Sequence, residues 1–489
     1  MAAAFEELME ALAEGLNSSL VGEAEVAKEL MEKVFDERAD KRNRGTYQIR
    51  VNLPRKEDAA SFAGFITSEG NPTSGPYQGT SFVWFPGDGG SVAVLVVGTD
   101  GFGADSAILG RPGHARRLRA LARAHRGSLW VKPDLLDLAV GVPDAVTKSW
   151  PAITPQLKSY SHFIYAAAPI RDASGDGGVV ADLLDLFLQE HGTRHKGSAK
   201  NVWSDRRAVM DECIFPKVDA TTVAGLLRER RFVILEGPPG TGKTRVAQEV
   251  GDAFGSWEMV QFHPARTYED FVVGLYPRSK NGENLAFEVR PGDLLRANQV
   301  AHDRPHVLVV DEINRADLGR VLGEAVSLFE PGEPDRAVVL PHRPEGYEDK
   351  LRLSPDLYVL GTRNTADRSI ARIDLAIRRR FAFVEMWPQL SVVREQGDEA
   401  AIAAFEDTLH TFSEYADDDG LRLTPGHAYF LDPRPDLGHV NRTNRVTSRL
   451  RLELVPLLRD YVQERLLGPA TAEIAGLADR VETLAGWTE

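Results

Sequence analysis

Eight consecutive residues, Gly237-Pro238-Pro239-Gly240-Thr241-Gly242-Lys243-Thr244, have the make-up of a loop that wraps phosphate. Glycines let the main chain approach an anion, and its N–H groups, with the start of a following helix, form a positively polarised nest. Lys243 would reach the β- and γ-phosphates of a nucleoside triphosphate, and the Thr244 hydroxyl would ligate Mg²⁺. Arg245, next in line, is a further candidate for the bound nucleotide. A second run, HVLVVDE, delivers Asp311 and Glu312 at a strand end. Asp311 would hold Mg²⁺ through water, and Glu312 would polarise the attacking water. A third run, LYVLGT, ends in Arg363-Asn364-Thr365-Ala366-Asp367-Arg368. Asn364 at its tip is placed to orient water, the alternative being a helix cap. Arg378-Arg379-Arg380-Phe381 follows, and three arginines cannot all be buried without partners. At least one is expected to face the phosphates of a neighbouring subunit, the alternative being a solvated basic turn.

These residues need strands that end together. The strand runs FVILEG, EMVQFH, HVLVVDE, LYVLGT and FAFVEM alternate with the helical runs TRVAQEVGDAF, TYEDFVVGL, DLGRVLGEAVSLF and IARIDLAIRR. Continuous apolar strands separated by helices predict a parallel sheet covered on both faces. The expected organisation is an α/β P-loop NTPase core over 218–389 and a helical lid over 390–489. A mixed α/β N-terminal domain over 1–195 precedes them. Residues 196–217, polar and without sustained apolar periodicity, read as a linker. In the first part TYQIRVNL, SFVWFPG, SVAVLVVG, SLWVKPD and SHFIYAAAP read as strands, and VVADLLDLFLQEH as an amphipathic helix.

With 43% hydrophobic and 27% charged residues in 489, the chain is long and apolar enough for several cores, which excludes disordered and low-complexity classes. Its net charge of −14 argues against non-specific coating of DNA, leaving room for a local basic patch. The single cysteine, Cys213, excludes a disulfide framework and a zinc site of several thiolates. The acidic start MAAAFEELMEALAEGL is unlike a secretory signal, and no apolar run approaches the ~20 residues of a membrane span. A soluble protein of the reducing cytoplasm is expected, with no membrane partner.

Taken together, QFHPARTYEDFVVGLYPR, VVDEINRADLGRVLGE, VLGTRNTADRSIARIDLAIRRRF and PGHAYF resemble the AAA+ motor subunit of McrBC-type modification-dependent restriction systems, over about residues 205 to 465. The resemblance implies a hexameric ring that hydrolyses GTP, or ATP, with Mg²⁺ and is stimulated by a separate McrC-type nuclease acting on DNA in antiviral defence. It places the family's Asn-Thr-Ala-Asp-Arg on Asn364 to Arg368, making Asp367 and Arg368 site candidates, and its trans-acting arginine among Arg378 to Arg380, with Arg379 or Arg380 foremost. Arg363 departs from the family's usual methionine. Nothing in the residues themselves selects guanine over adenine. A MoxR-like ATPase that remodels protein complexes, and a nucleotide-gated assembly platform, stay open as alternatives. LAFEVRPG and DRAVVLPHRPEGYEDKLRLSP read as inserted hairpins that either contact a substrate or partner or are inert.

Weaker signals lie elsewhere. In RPGHARRLRALARAHRG, helical spacing puts Arg116, Arg119, Arg123 and Arg126 on one face, a stripe for DNA phosphates or a solvated surface. Phe82, Trp84 and Phe85 are stacking candidates for a flipped base, although strand aromatics more often fill cores. Pro334-Asp335 with Glu348-Asp349-Lys350 matches a nuclease spacing by chance, and His191 and His195 lack the companions of a metal site.

Overall fold

The computed structural model describes residues 3–39, 47–54, 61–67, 78–97, 106–151, 160–280, 283–330, 332–333, 335–366, 374–438 and 441–486. The chain divides into two compact units, Met1–Ile214 with Ser413–Tyr415, and Phe215–Phe412 with Ala416–Glu489.

The first unit is built on an antiparallel sheet of β1 (Tyr47–Asn52), β2 (Phe62–Thr67), β3 (Gln78–Gly87), β4 (Gly90–Val97), β5 (Trp130–Val131) and β6 (Ile164–Ile170), in the order β1-β2-β3-β4-β6-β5. Strand alternation divides its apolar residues between two cores. Val92, Val94 and Val96 of β4 join Phe62, Val83, Phe85 and Trp150. Ala93, Leu95 and Val97 join Phe65, Phe82 and Trp84, with Phe5 and Leu8 of the helix Ala3–Glu14 and Leu183, Leu184 and Phe187 of the helix Ala173–Glu190.

One expectation fails here. Within 196–217, Gly197–Ile214 is an 18-residue helix rather than a linker. Its apolar residues are few, which hid the periodicity, but Trp203 and Met210, two turns apart, are both buried in the first unit's core. Polar contacts supply the rest. Arg206 Nε lies 2.7 Å from Asp182 Oδ2, and His195, stacked on Trp203, is 3.1 Å from Asp185 Oδ1.

The second unit holds a five-stranded parallel sheet of β7 (Phe232–Gly237), β8 (Trp257–Gln261), β11 (His306–Asp311), β14 (Leu357–Asn364) and β15 (Ala382–Glu385), ordered β15-β7-β14-β11-β8. Val233, Leu235, Val307 and Val309 pack against the helices Ala220–Arg230 and Lys243–Phe254. Ile234, Leu308 and Val310 face the opposite core with Leu294, Leu295 and Phe329. This is an AAA+ P-loop fold, with a helical C-terminal region that includes Val455–Gln463 and Thr471–Leu484. No described helix is long and apolar enough to cross a membrane.

Two helical expectations are corrected. TYEDFVVGL makes one helical turn, Tyr268–Phe271, begun by a capping box of Thr267 and Asp270. It then becomes β9 (Val273–Lys280), paired antiparallel with β10 (Glu283–Pro291). The β-branched Val272-Val273 pair and the following glycine suit the strand better than a second turn. DLGRVLGEAVSLF breaks at Gly323, whose φ of +51° ends the α-helix Leu318–Leu322 and begins a tighter turn to Phe329. The second insertion is a short hairpin of β12 (Val338–Val339) and β13 (Lys350–Leu351).

Candidate active site

The phosphate loop leaves β7, every residue of which is buried, and closes at the start of the helix Lys243–Phe254. Gly240 and Gly242 both have φ of +79°, a conformation open to glycine without strain. Thr241 ties the loop across its base, its hydroxyl donating to the Pro238 carbonyl at 3.0 Å. The Lys243 ammonium donates to the carbonyls of Gly237 at 3.0 Å and Pro238 at 2.7 Å. Burial pushes that ammonium down to about 8, against the opposing pull of Glu312 and Asp311. No side chain caps the helix at Gly242, so its leading amides are left for an anion. Arg245 sends its exposed guanidinium to Glu249, 2.9 Å away and one turn on.

Asp311 and Glu312 stand at the end of β11, beside the tip of β14. Asp311 Oδ1 accepts from the hydroxyls of Thr244 at 2.9 Å and Thr362 at 2.6 Å. Thr362 Oγ1 in turn accepts from the Glu312 amide at 3.1 Å, bracing the turn in which Glu312 adopts φ of +53°. Asn364 Nδ2 donates to Glu312 Oε1 at 2.5 Å. The other oxygen, Oε2, is buried with no hydrogen-bond partner among the described residues, and Arg315 Nε is 3.4 Å from it. One carboxylate oxygen is thereby fixed, leaving a lone pair on the other for a water proton.

The donor set fits Mg²⁺. The Thr244 hydroxyl and Asp311 carboxylate are hard oxygen ligands in contact, and no described group of three or more His, Cys, Asp or Glu could hold a metal. A small divalent ion held by one carboxylate, waters and substrate phosphates needs no fuller protein cage.

The arginine cluster separates by burial. Arg380 is 8% exposed and internally paired, Nη2 to Glu330 Oε2 at 2.8 Å and Nη1 to the Ala376 carbonyl at 2.6 Å. This removes Arg380 as the arginine that reaches a neighbour. Arg379, 61% exposed, rests on the same Glu330 oxygen at 2.9 Å, and exposed Arg378 lies over the Phe383 ring. Phe381 stacks on Phe329, which sets Glu330 against the arginines. Arg363 finds its counterion across the sheet in buried Glu236, 3.1 Å away at the matching register position of β7. Its charge is thus met while Asn364 keeps its reach to Glu312. Asp367 and Arg368 lie outside the described residues.

Sequence reading missed three contributors. Thr362 was hidden as an ordinary strand residue. Glu330 has no motif of its own. His427, within PGHAYF, lies beside the loop, its Nε2 3.5 Å from where a methyl group on Gly242 would stand.

In the first unit the basic stripe does not survive intact. Arg119 and Arg123 are exposed on the helix Pro112–Ala124, Arg116 is buried, and Arg126 lies beyond the helix end. Arg117 on the same helix is committed to Glu190. Phe82, Trp84 and Phe85 are core residues, each at most 3% exposed, with the Trp84 indole donating to Ser91, so none can stack on a base. His191 bonds the Phe187 carbonyl and His195 bonds Asp185, both without a metal cluster.

A family profile for the AAA domain of the dynein-related subfamily matches residues 232–381. The type IV methyl-directed restriction enzyme EcoKMcrB subunit of Escherichia coli (strain K12) is 30% identical over 273 residues, 52% of this chain and 58% of that protein. The type II restriction enzyme BsuMI component YdiS of Bacillus subtilis (strain 168) is 26% identical over 190 residues, 31% of this chain and 55% of its own. A Lon protease of Leptospira interrogans is 26% identical over 146 residues, 29% of this chain and 16% of that one. The chain thus spans less than two thirds of each of these relatives.

Proposed function

Because the chain is a McrB-like AAA+ protein, we propose that it is the NTP-hydrolysing motor subunit of a two-component restriction system, with GTP as its nucleotide. It assembles with further copies of itself into a ring and acts on DNA with a separate nuclease subunit.

 The observation that carries the reading is the Glu312–Asn364 contact at the carboxyl end of the parallel sheet, the end from which the phosphate loop also leaves, because it joins a fixed carboxylate to the place where a terminal phosphate would be attacked.

In this mechanism the 237–244 loop amides and Lys243 grip the triphosphate. Asn364 holds Glu312 so that Oε2 takes a proton from the attacking water, and Thr362 keeps Asp311 and the Glu312 amide in register. Mg²⁺, held by Thr244 and Asp311, would neutralise charge developing on the phosphates. Arg379 of an adjoining copy completes the charge, a contribution worth about 10³ to 10⁵ in rate. The first unit recognises DNA or another trigger, through a surface that includes Arg119, Arg123 and Arg126. The likeness to two restriction-enzyme components supports the choice of system, and GTP is chosen on the motif resemblance of the sequence.

The test measures phosphate release by the purified chain from GTP and ATP with Mg²⁺, with and without duplex DNA and the product of the neighbouring gene. GTP turnover raised by that partner is the expected result. Turnover of ATP alone, indifferent to DNA and partner, would overturn the restriction reading. Absence of binding to any nucleotide would overturn the NTPase reading as well.

A further inference from the structure

The segment Pro425–Phe430 of the helical region is seated directly on the phosphate loop. The Gly426 amide donates to the Pro239 carbonyl and the Ala428 amide to the Gly240 carbonyl, each at 3.0 Å. The approach is close enough that a methyl group at Gly426 would lie 2.0 Å from the Gly240 carbonyl carbon. Two backbone bonds therefore fix the residue between them, His427, over the beginning of the helix Lys243–Phe254.

The ring's state follows from its partner. The Gln389 main-chain amide, which can only donate, points at His427 Nδ1 from 3.3 Å, so that nitrogen must be an acceptor and the neutral ring carries its proton on Nε2. Gln389 is held in turn, its side-chain amide donating to the carbonyls of Phe215, Pro216 and Trp387. Burial, then the charges of Arg245 and Lys243, push the imidazole down to about 4, which keeps it neutral at physiological pH. No hydrogen-bond partner is found for Nε2 among the described residues, and it lies over Gly242, where the helix begins without a side-chain cap. A directed N–H thus stands beside amides that themselves await an anion.

We propose that His427 is a nucleotide-binding residue, its Nε2–H donating to phosphate oxygens common to the nucleoside di- and triphosphate. The assignment rests on the phosphate-loop reading above. Its position at the head of the helix, among Lys243 and Arg245, separates it from the Glu312–Asn364 pair that marks the end where hydrolysis occurs.

The test uses the full chain with Mg²⁺ and fluorescent GDP and GTP, and the adenine analogues in parallel. His427→Phe keeps the ring's bulk without an N–H, whereas His427→Gln keeps an N–H donor at similar reach. His427→Phe is expected to weaken di- and triphosphate alike by about tenfold, and His427→Gln to stay within about threefold of the parent. Unchanged binding by His427→Phe, equal losses in both variants, or a loss confined to the triphosphate would each overturn the proposal. Should the parent chain bind no nucleotide, the phosphate-loop reading fails first and takes this assignment with it; binding by the parent with an indifferent His427→Phe variant sinks the assignment alone.

Discussion

Glu312 is held at one oxygen by Asn364 and makes no hydrogen bond at the other among the described residues, so chemistry and binding should separate cleanly there. Glu312→Gln removes the proton acceptor while preserving shape, and is expected to lower turnover about 10²- to 10⁴-fold with nucleotide affinity changed only a few-fold. Single-turnover phosphate release beside equilibrium binding checks this. Thr362→Val strips a donor from half-buried Asp311 and an acceptor from the Glu312 amide, and the expected cost is about 1–3 kcal/mol in chemical denaturation, with reduced turnover. Lys243 gives a pH dependence. Its ammonium titrates near 8 in the free site, and a bound triphosphate favours the charged form and raises that value. Binding therefore takes up a proton above pH 8, and affinity should fall as pH rises through that range while staying flat below it. Titration calorimetry at pH 8.5 in buffers of different ionisation enthalpy would reveal the uptake; a proton count of zero would refute it.

At the scale of elements, the sequence was most readable where a strand must be wholly apolar and end in a reactive residue. β7, β11 and β14 carry their chemistry at their tips, so motif and element identify each other. It was least readable where partners lie far along the chain. Gly197–Ile214 anchors itself with two buried apolar residues and the Arg206–Asp182 ion pair to the helix Ala173–Glu190, a pattern that periodicity does not detect. The first three residues of β9 read as helix in the sequence, because the pairing with β10 that makes them strand outweighs local propensity. The partners of Arg379 and Arg380 were equally invisible, since Glu330 lies some fifty residues away. Trp203→Ala tests the anchored helix, with an expected loss of about 3–5 kcal/mol in the first unit's stability, followed by thermal or denaturant unfolding.

For the whole molecule, if copies assemble as proposed, the exposed Arg379 and the buried Arg380 should divide their labour between copies. Arg379→Ala and Glu312→Gln should each be inactive alone. Mixing the two should restore part of the turnover, because some interfaces then pair an intact carboxylate with an intact arginine from the neighbour. A mixture as silent as its components would argue that hydrolysis is completed within one chain. Arg380→Ala should behave differently, losing stability even in the isolated subunit, since it removes the guanidinium that Glu330 meets inside the fold.

The pairing of Arg363 with Glu236 reaches beyond this one protein. Either residue alone would be a stranded charge beside the nucleotide, so mutation should move them through evolution as a couple. Homologues with methionine at the first position are expected to have shed the acid at the second, and a double replacement, Arg363→Met with Glu236→Gln, should be milder than either half of it.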